Sequence, residues 1–243
     1  MSSLFNPVVA ALTFRATLGR RRAVLFAIPA VILIALTLVL RATHPAAGAL
    51  WPSNVLGDFG FSVLLPLTAL IIGTSVLGAE IDDGSAIHLL ATPVPRSSVV
   101  VTKFAVSAMM TMVFAALPEL IAGLLAPHST KLAFALFVGA LVGSVIYSAV
   151  FVAASVLTSR AIAVGLLYVL IWEGLLGNLV GGARILSVAH YSLGVANAID
   201  PDQNLMAGLT LATSVILGTI VTIGALILAT RRLSAFAIKG EPA

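Results

Sequence analysis

The sequence predicts an all-α integral membrane protein, and three observations carry that prediction. Of 243 residues, 60% are apolar and only 9% are charged, against roughly 25% charged in an ordinary soluble domain. Mean hydropathy is +1.15. Uncharged runs of membrane-spanning length recur along the chain, and none alternates as the strands of a barrel do. Together these exclude a soluble globular protein, a disordered chain and a nucleic-acid binder. The chain has no cysteine, which excludes disulfides and thiolate metal sites.

A helix needs roughly 20 predominantly apolar residues to cross about 30 Å of hydrocarbon. Cutting the chain at its charges leaves six such runs: 23–40, 59–79, 104–125, 132–159, 161–183 and 205–230. They form a single transmembrane domain over residues 1–243. A seventh uncharged stretch, Ile185 to Ile199, reaches only about 22 Å as a helix. It reads as a re-entrant or external segment before the sixth span. Six spans place both termini on one side. With that side cytoplasmic, ten basic residues lie inside: Arg15, Arg20, Arg21, Arg22, Arg96, Lys103, Arg160, Arg231, Arg232 and Lys239. Three lie outside, namely Arg41, Lys131 and Arg184. This asymmetry orients the bundle with cytoplasmic N- and C-termini. A seventh span would carry Arg231, Arg232 and Lys239 outside, against it. Arg20–Arg22 and the downstream Ala47-Gly48-Ala49 have the outline of a cleaved signal. The apolar run between them is long for one, and the basic cluster is preceded by roughly 20 residues, so a retained first span is expected.

Asn6-Pro7 is a helix cap followed by proline at the first helical position. Thr13, Thr17 and Arg20 then share one face, with Val8, Leu12 and Ala16 largely opposite, as in a short helix lying in the headgroup layer. The longest cytoplasmic connection runs from Glu80 to Lys103. It opens with Glu80, Asp82 and Asp83; Gly84 permits a turn, and Ala86–Ala91 is apolar except for His88. Thr92-Pro93-Val94-Pro95 ends that short helix, because each proline disfavours helix in the residue before it. Ile87, Leu89 and Leu90 have no use in a solvated linker. They demand an apolar surface, either on a partner or on the inner ends of the same bundle.

This tract resembles the loop between spans two and three of type-2 ATP-binding-cassette (ABC) exporter permeases. The shared features are an acid (Glu80), a glycine (Gly84), an apolar short helix with Leu89-Leu90, Thr92-Pro93, a basic residue (Arg96) and a lysine at the next span (Lys103). Trp172-Glu173-Gly174-Leu175-Leu176-Gly177-Asn178, with His190-Tyr191, is similar to the fifth-span and external region of the same permeases. The segment Ile87-His88 lacks an extra acid that many members carry. The resemblance implies a coupling helix formed by Glu80, Asp82, Asp83, Gly84, Ile87, His88, Leu89, Leu90, Thr92, Pro93 and Arg96 that docks on an ATP-binding subunit. It implies a permease in the bacterial plasma membrane, paired with a second permease subunit as a homodimer. The implied activity is export of an amphipathic or hydrophobic solute (a drug, antibiotic or lipid-like molecule) by alternating access. No G-x-x-x-x-G-K-[ST] phosphate loop occurs in the sequence. ATP and Mg are therefore expected on the partner chain, with no cofactor in this one and no enzymatic activity of its own.

Two acids fall inside the runs. A charge at mid-bilayer costs several kcal/mol on insertion scales and is normally turned inward. Glu119 follows Pro118 in the third run. Glu173 lies in the fifth, beside Trp172 and ahead of Gly174, Gly177 and Asn178, where the helix is expected to break around a cavity. Each acid is either a hydrogen-bonded tie between helices or part of a solute pathway or gate; Glu173, Asn178, Glu119 and Trp172 are the candidates. Gly139 and Gly143 form G-x-x-x-G in the fourth run, a helix-packing face. His44, His88, His128 and His190 lack ligand spacing, so no metal site is expected. Asp82-Asp83 is not completed into the spacing of a metal-dependent lipid-head-group transferase, and no Ser/His/Asp set is evident. An ATP-independent transporter using Glu173 or Glu119 and a lipid-modifying enzyme are the rival readings.

Overall fold

The computed structural model describes residues 5–44, 51–82, 95–127, 130–176, 181–201, 205 and 208–239. Every regular element among them is helical. Helix α1 (Pro7–Thr17) begins where Asn6 accepts from the Val8 and Val9 amides at 3.0 and 3.3 Å. Val9, Thr13 and Thr17, spaced four apart, are buried, while Val8 and Leu12 on the other side are exposed. Helix α2 (Arg20–Thr43) carries Pro29 inside it. A π-wound stretch, Ser53–Leu64, runs directly into α3 (Leu65–Asp82). Helix α4 (Arg96–Thr111) passes through a π turn, Met112–Ala116, into α5 (Leu117–Leu125). Helix α6 (Thr130–Leu157) is followed by α7 (Ala161–Leu167) and its π-wound continuation Tyr168–Leu176. A 3-10 turn at Gly181–Leu186 precedes α8 (Val188–Ile199), and α9 (Leu211–Lys239) closes the chain.

Five helices among the described residues are long and apolar enough to cross a membrane: Ala23–Thr43, Ser53–Leu77, Arg96–Leu125, Thr130–Leu157 and Leu211–Ala235. The run expected at 161–183 is a shorter apolar helix, Ala161–Leu175, and residues 177–180 lie outside the described part. Two boundaries move because helices continue past charges that find a place inside. Asp58 stands within the π-wound Ser53–Leu64, so that helix begins six residues before the expected start at 59. Lys103, fully buried, donates from Nζ to the Val76 carbonyl at 2.8 Å, so α4 begins at Arg96 and not at 104. The last helix starts at Leu211, not 205, because Gly208 turns the chain at φ +64°, a conformation that a side chain disfavours.

Helix α6 is the axis of the bundle, with α3, α5, α8 and α9 packed around it. Small residues allow the close approaches. A Cβ on Gly73 would come within 2.9 Å of Phe151 Cβ, and one on Gly123 within 2.7 Å of Ala133 Cα. One end of the bundle gathers Arg41, whose Nη1 donates to the Leu125 carbonyl at 2.9 Å, and the pair Lys131–Asp200 at 3.4 Å. The opposite end gathers Lys103 and the contact from the Asn6 amide to Thr102 Oγ1 at 3.0 Å, which seats α1 on α4.

Candidate functional site

The buried polar groups converge on Glu173. In a regular α-helix residues five apart point about 140° away from each other. The wider π turn brings Tyr168 and Glu173 to the same side, and the Tyr168 hydroxyl donates to Glu173 Oε1 at 2.7 Å. The Val188 amide donates to the same oxygen at 2.9 Å. Ser187 Oγ donates to Oε2. Val188 is the first residue of α8 and Ser187 is its N-cap. The carboxylate is thus a remote cap on the N-terminus of a 12-residue helix, where amides are unsatisfied and the helix dipole favours negative charge. Three donors meet it among the described residues. Glu173, Ser187 and His190 are all buried.

Ser187 is a junction. Its oxygen accepts from the His190 amide at 3.3 Å and meets His190 Nδ1 at 2.9 Å. A hydroxyl has one proton, and here it goes to Glu173. The Nδ1 must then bring its own proton to Ser187, which assigns the Nδ1–H tautomer to His190. Burial, and secondarily the Arg184 charge, lower the His190 pKa to about 4, so the ring is neutral at physiological pH. Tyr147 is buried nearby, within reach of the Glu173 charge. It stacks on Phe151 with centroids 5.9 Å apart and planes at 7°, and Phe151 meets Tyr168 edge-on at 6.5 Å.

The fold therefore brings together a serine, a histidine and an acid, a set not evident from their positions in the chain. Their order differs from that of a catalytic triad. In a catalytic triad the imidazole takes the hydroxyl proton and the acid orients the imidazole. Here the hydroxyl stands in the middle with its proton on the acid, fully buried.

The rest of α8 is held by packing. Gly139 and Gly143 face it inside the same chain: added Cβ atoms would lie 2.7 Å from the Ser192 carbonyl oxygen and 2.6 Å from Ser192 Oγ. At its far end Asp200, 2% exposed, pairs with Lys131, 52% exposed. With Lys131 half exposed, that end is tied by a single ion pair among the described residues. The hold on α8 thus rests on Glu173 and on the glycine face of α6.

The other candidates distribute as follows. Trp172 is partly buried, and its Nε1 makes no hydrogen bond among the described residues. Glu119, buried in the first turn of α5, lies against Gly60 of the π-wound Ser53–Leu64 and shares no partner with Glu173. Glu80 and Asp82 fall in the last turns of α3, so the helix reaches into the tract expected to be loop. Arg96 opens α4 behind Pro95. Asp83, Gly84, Ile87, His88, Leu89, Leu90, Thr92, Pro93 and Asn178 lie outside the described residues. Tyr168 and Ser187 were missed in the sequence. Ser187 had a signal, a good N-cap residue immediately before an apolar helical stretch; Tyr168 had none, because its partnership depends on π winding. No group of three or more metal-ligating side chains occurs among the described residues.

A search of curated proteins returns no match. A family model does match: residues 18–179, well over half the chain, fit the family described as ABC-2 family transporter protein. With its five long apolar helices, the chain is a multi-pass membrane permease and belongs to the ABC-2 transporter family.

Proposed function

We propose that this chain is the membrane-spanning subunit of an ATP-driven exporter, pairing with a second copy of itself and with separate ATP-binding chains that carry ATP and Mg. The observation that carries the reading is the family match over residues 18–179, joined to a sequence without a phosphate loop. Six spans with both termini in the bacterial cytoplasm complete the topology, with Ala161–Leu175 in the fifth. The tract from Glu80 to Arg96 is the coupling helix that docks on the ATP-binding chain. It joins the ends of α3 and α4, where buried Lys103 ties the two helices through the Val76 carbonyl. A push on the tract therefore reaches both helices together.

Alternating access needs a gate away from the docking end. The Glu173 cap on α8 supplies one. Its bonds join the π-wound continuation of α7 to a short, deeply buried helix, and separating them would open a path past Trp172. Few fixed charges line this interior, so the solute is amphipathic or apolar. Replacing both Leu89 and Leu90 with Asp tests the docking arm. The pair should abolish copurification of the ATP-binding chain while the permease stays inserted; undiminished recovery of the partner refutes the assignment.

A further inference from the structure

We propose that a groove between α4 and α9 binds one anionic glycerophospholipid of the inner leaflet, with the phosphate at its rim and an acyl chain along its floor. The groove holds about 380 Å3 and is lined by Ser97 and Val101 of α4 and by Leu226, Ile227, Thr230 and Arg231 of α9. Its polarity follows depth. Ser97, Thr230 and Arg231 form the polar end. Val101, Leu226 and Ile227 lie four residues from them along the same helices, about 6 Å further toward the middle of the bundle. Behind the groove, Val99 and Val100 of α4, Ala229 and Leu233 of α9, and Val152 and Val156 of α6 form one buried cluster, so packing sets the walls before any ligand arrives. The open side faces lipid, since Ile227 is 49% exposed on a helix of membrane-spanning length. Arg231 stands 20 residues past Leu211, the start of α9. That is about 30 Å along the helix, the thickness of the hydrocarbon layer. A helix that enters the layer at Leu211 therefore brings the guanidinium to the level of the phosphates on the other side.

Charge selects the headgroup. Helix α9 packs on α4, α6 and α8, and none of these four helices contains an aspartate or glutamate. Helices α4 and α9 together carry Arg96, Lys103, Arg231, Arg232 and Lys239. Lys103 is buried and committed to the Val76 carbonyl, whereas Arg231 is exposed at the rim. A guanidinium fork matches a phosphate through two parallel hydrogen bonds. Ser97, half-buried, adds a hydroxyl; the Thr230 proton already goes to the Leu226 carbonyl at 2.8 Å. A zwitterionic lipid would bring a further cation into this field, and an anionic one does not. A small soluble anion would match the rim and leave the apolar floor unfilled. The inference takes from the proposed function only that this end of α9 lies at the inner leaflet.

The test is native mass spectrometry of the full chain released from nanodiscs of equimolar phosphatidylcholine and phosphatidylglycerol. Wild type should retain one phosphatidylglycerol in preference to phosphatidylcholine. Arg231→Gln should cut that preference about fivefold, the effect of one basic side chain at an anionic surface. Ile227→Trp changes an exposed side chain and fills the floor, so it should lower retention of both lipids. Arg160→Gln removes an exposed charge of the α6–α7 connection, outside the groove, and should leave retention unchanged. The proposal is overturned if wild type does not prefer phosphatidylglycerol, or if Arg231→Gln or Ile227→Trp retains lipid as wild type does. It is equally overturned if Arg160→Gln loses as much as Arg231→Gln, because diffuse charge would then explain the preference. The disc carries the same lipids in both leaflets, so the result is independent of export and of which end of the bundle is cytoplasmic.

Discussion

Replacing Glu173 with Leu keeps much of the side-chain volume and removes every acceptor. Three donors lose their partner: the Tyr168 hydroxyl, the Ser187 hydroxyl and the Val188 amide. A buried donor left unsatisfied costs about 1–3 kcal/mol. The three are not equal. Tyr168 is only partly buried and its ring can rotate away, and Ser187 can redirect its proton to His190 Nδ1 if the ring changes tautomer. Val188, at the first position of α8, has no intrahelical acceptor for its amide. Counting Val188 in full and the others in part gives about 3 kcal/mol, or roughly a hundredfold in the opening of the α8 N-terminus. Glu173→Gln keeps Oε1 for Tyr168 and Val188 and forfeits the charge and Oε2; about 1.5 kcal/mol, roughly tenfold, is expected. Amide hydrogen exchange over Val188–Ser192 in nanodiscs reads this opening without knowledge of the solute. Export should fail in the Leu variant while the ATP-binding chain still copurifies. Exchange in Glu173→Leu equal to wild type would refute the reasoning, because it would mean the carboxylate does not hold α8.

Two further outcomes follow from topology and titration. A reporter fused after Lys239 should read as cytoplasmic; a periplasmic readout would place an odd number of spans before it and overturn the six-span arrangement. The pKa of His190 is held down to about 4 from 6.5, so the unfolded chain binds a proton that the folded chain refuses as pH falls through that interval. Stability is full above about 6.5 and declines toward about 4. Melting temperature measured across this range should fall less steeply in His190→Gln, and equal slopes would show that His190 does not contribute to the acid limb.

The helices were legible in the sequence and their edges were not. Long uncharged runs mark the apolar body of a span, but charges are poor proxies for helix ends when a long side chain can reach a carbonyl. Lys103 bonding Val76 is the clearest instance. The glycine face of α6 was legible as a packing surface because G-x-x-x-G carries its meaning in spacing alone. What it packs against, Ser192 of α8, depends on how a 12-residue helix folds back into the bundle. Glu173 stood out as an acid within an apolar run. Its partners did not, since Tyr168 is on the same side only through π winding and Ser187 arrives from beyond the break.

Glu119 and Glu173 show why an acid in an apolar run fixes a question and not its answer. Both are fully or almost fully buried. The sequence offers each a proline or glycine neighbourhood and no cation, which leaves the two alike. The fold separates them by donors. Glu173 meets the start of α8, where an amide and a capping hydroxyl are already in want of an acceptor, so its charge is useful where it is. Glu119 meets Gly60 and a proline-bearing turn, and its Oε2 has no hydrogen-bond partner among the described residues. A carboxylate can be stored in the first setting without any other species. Lifting α8 out of the bundle must break the bonds of Glu173, and those bonds, not burial alone, make it the acid that resists the movement.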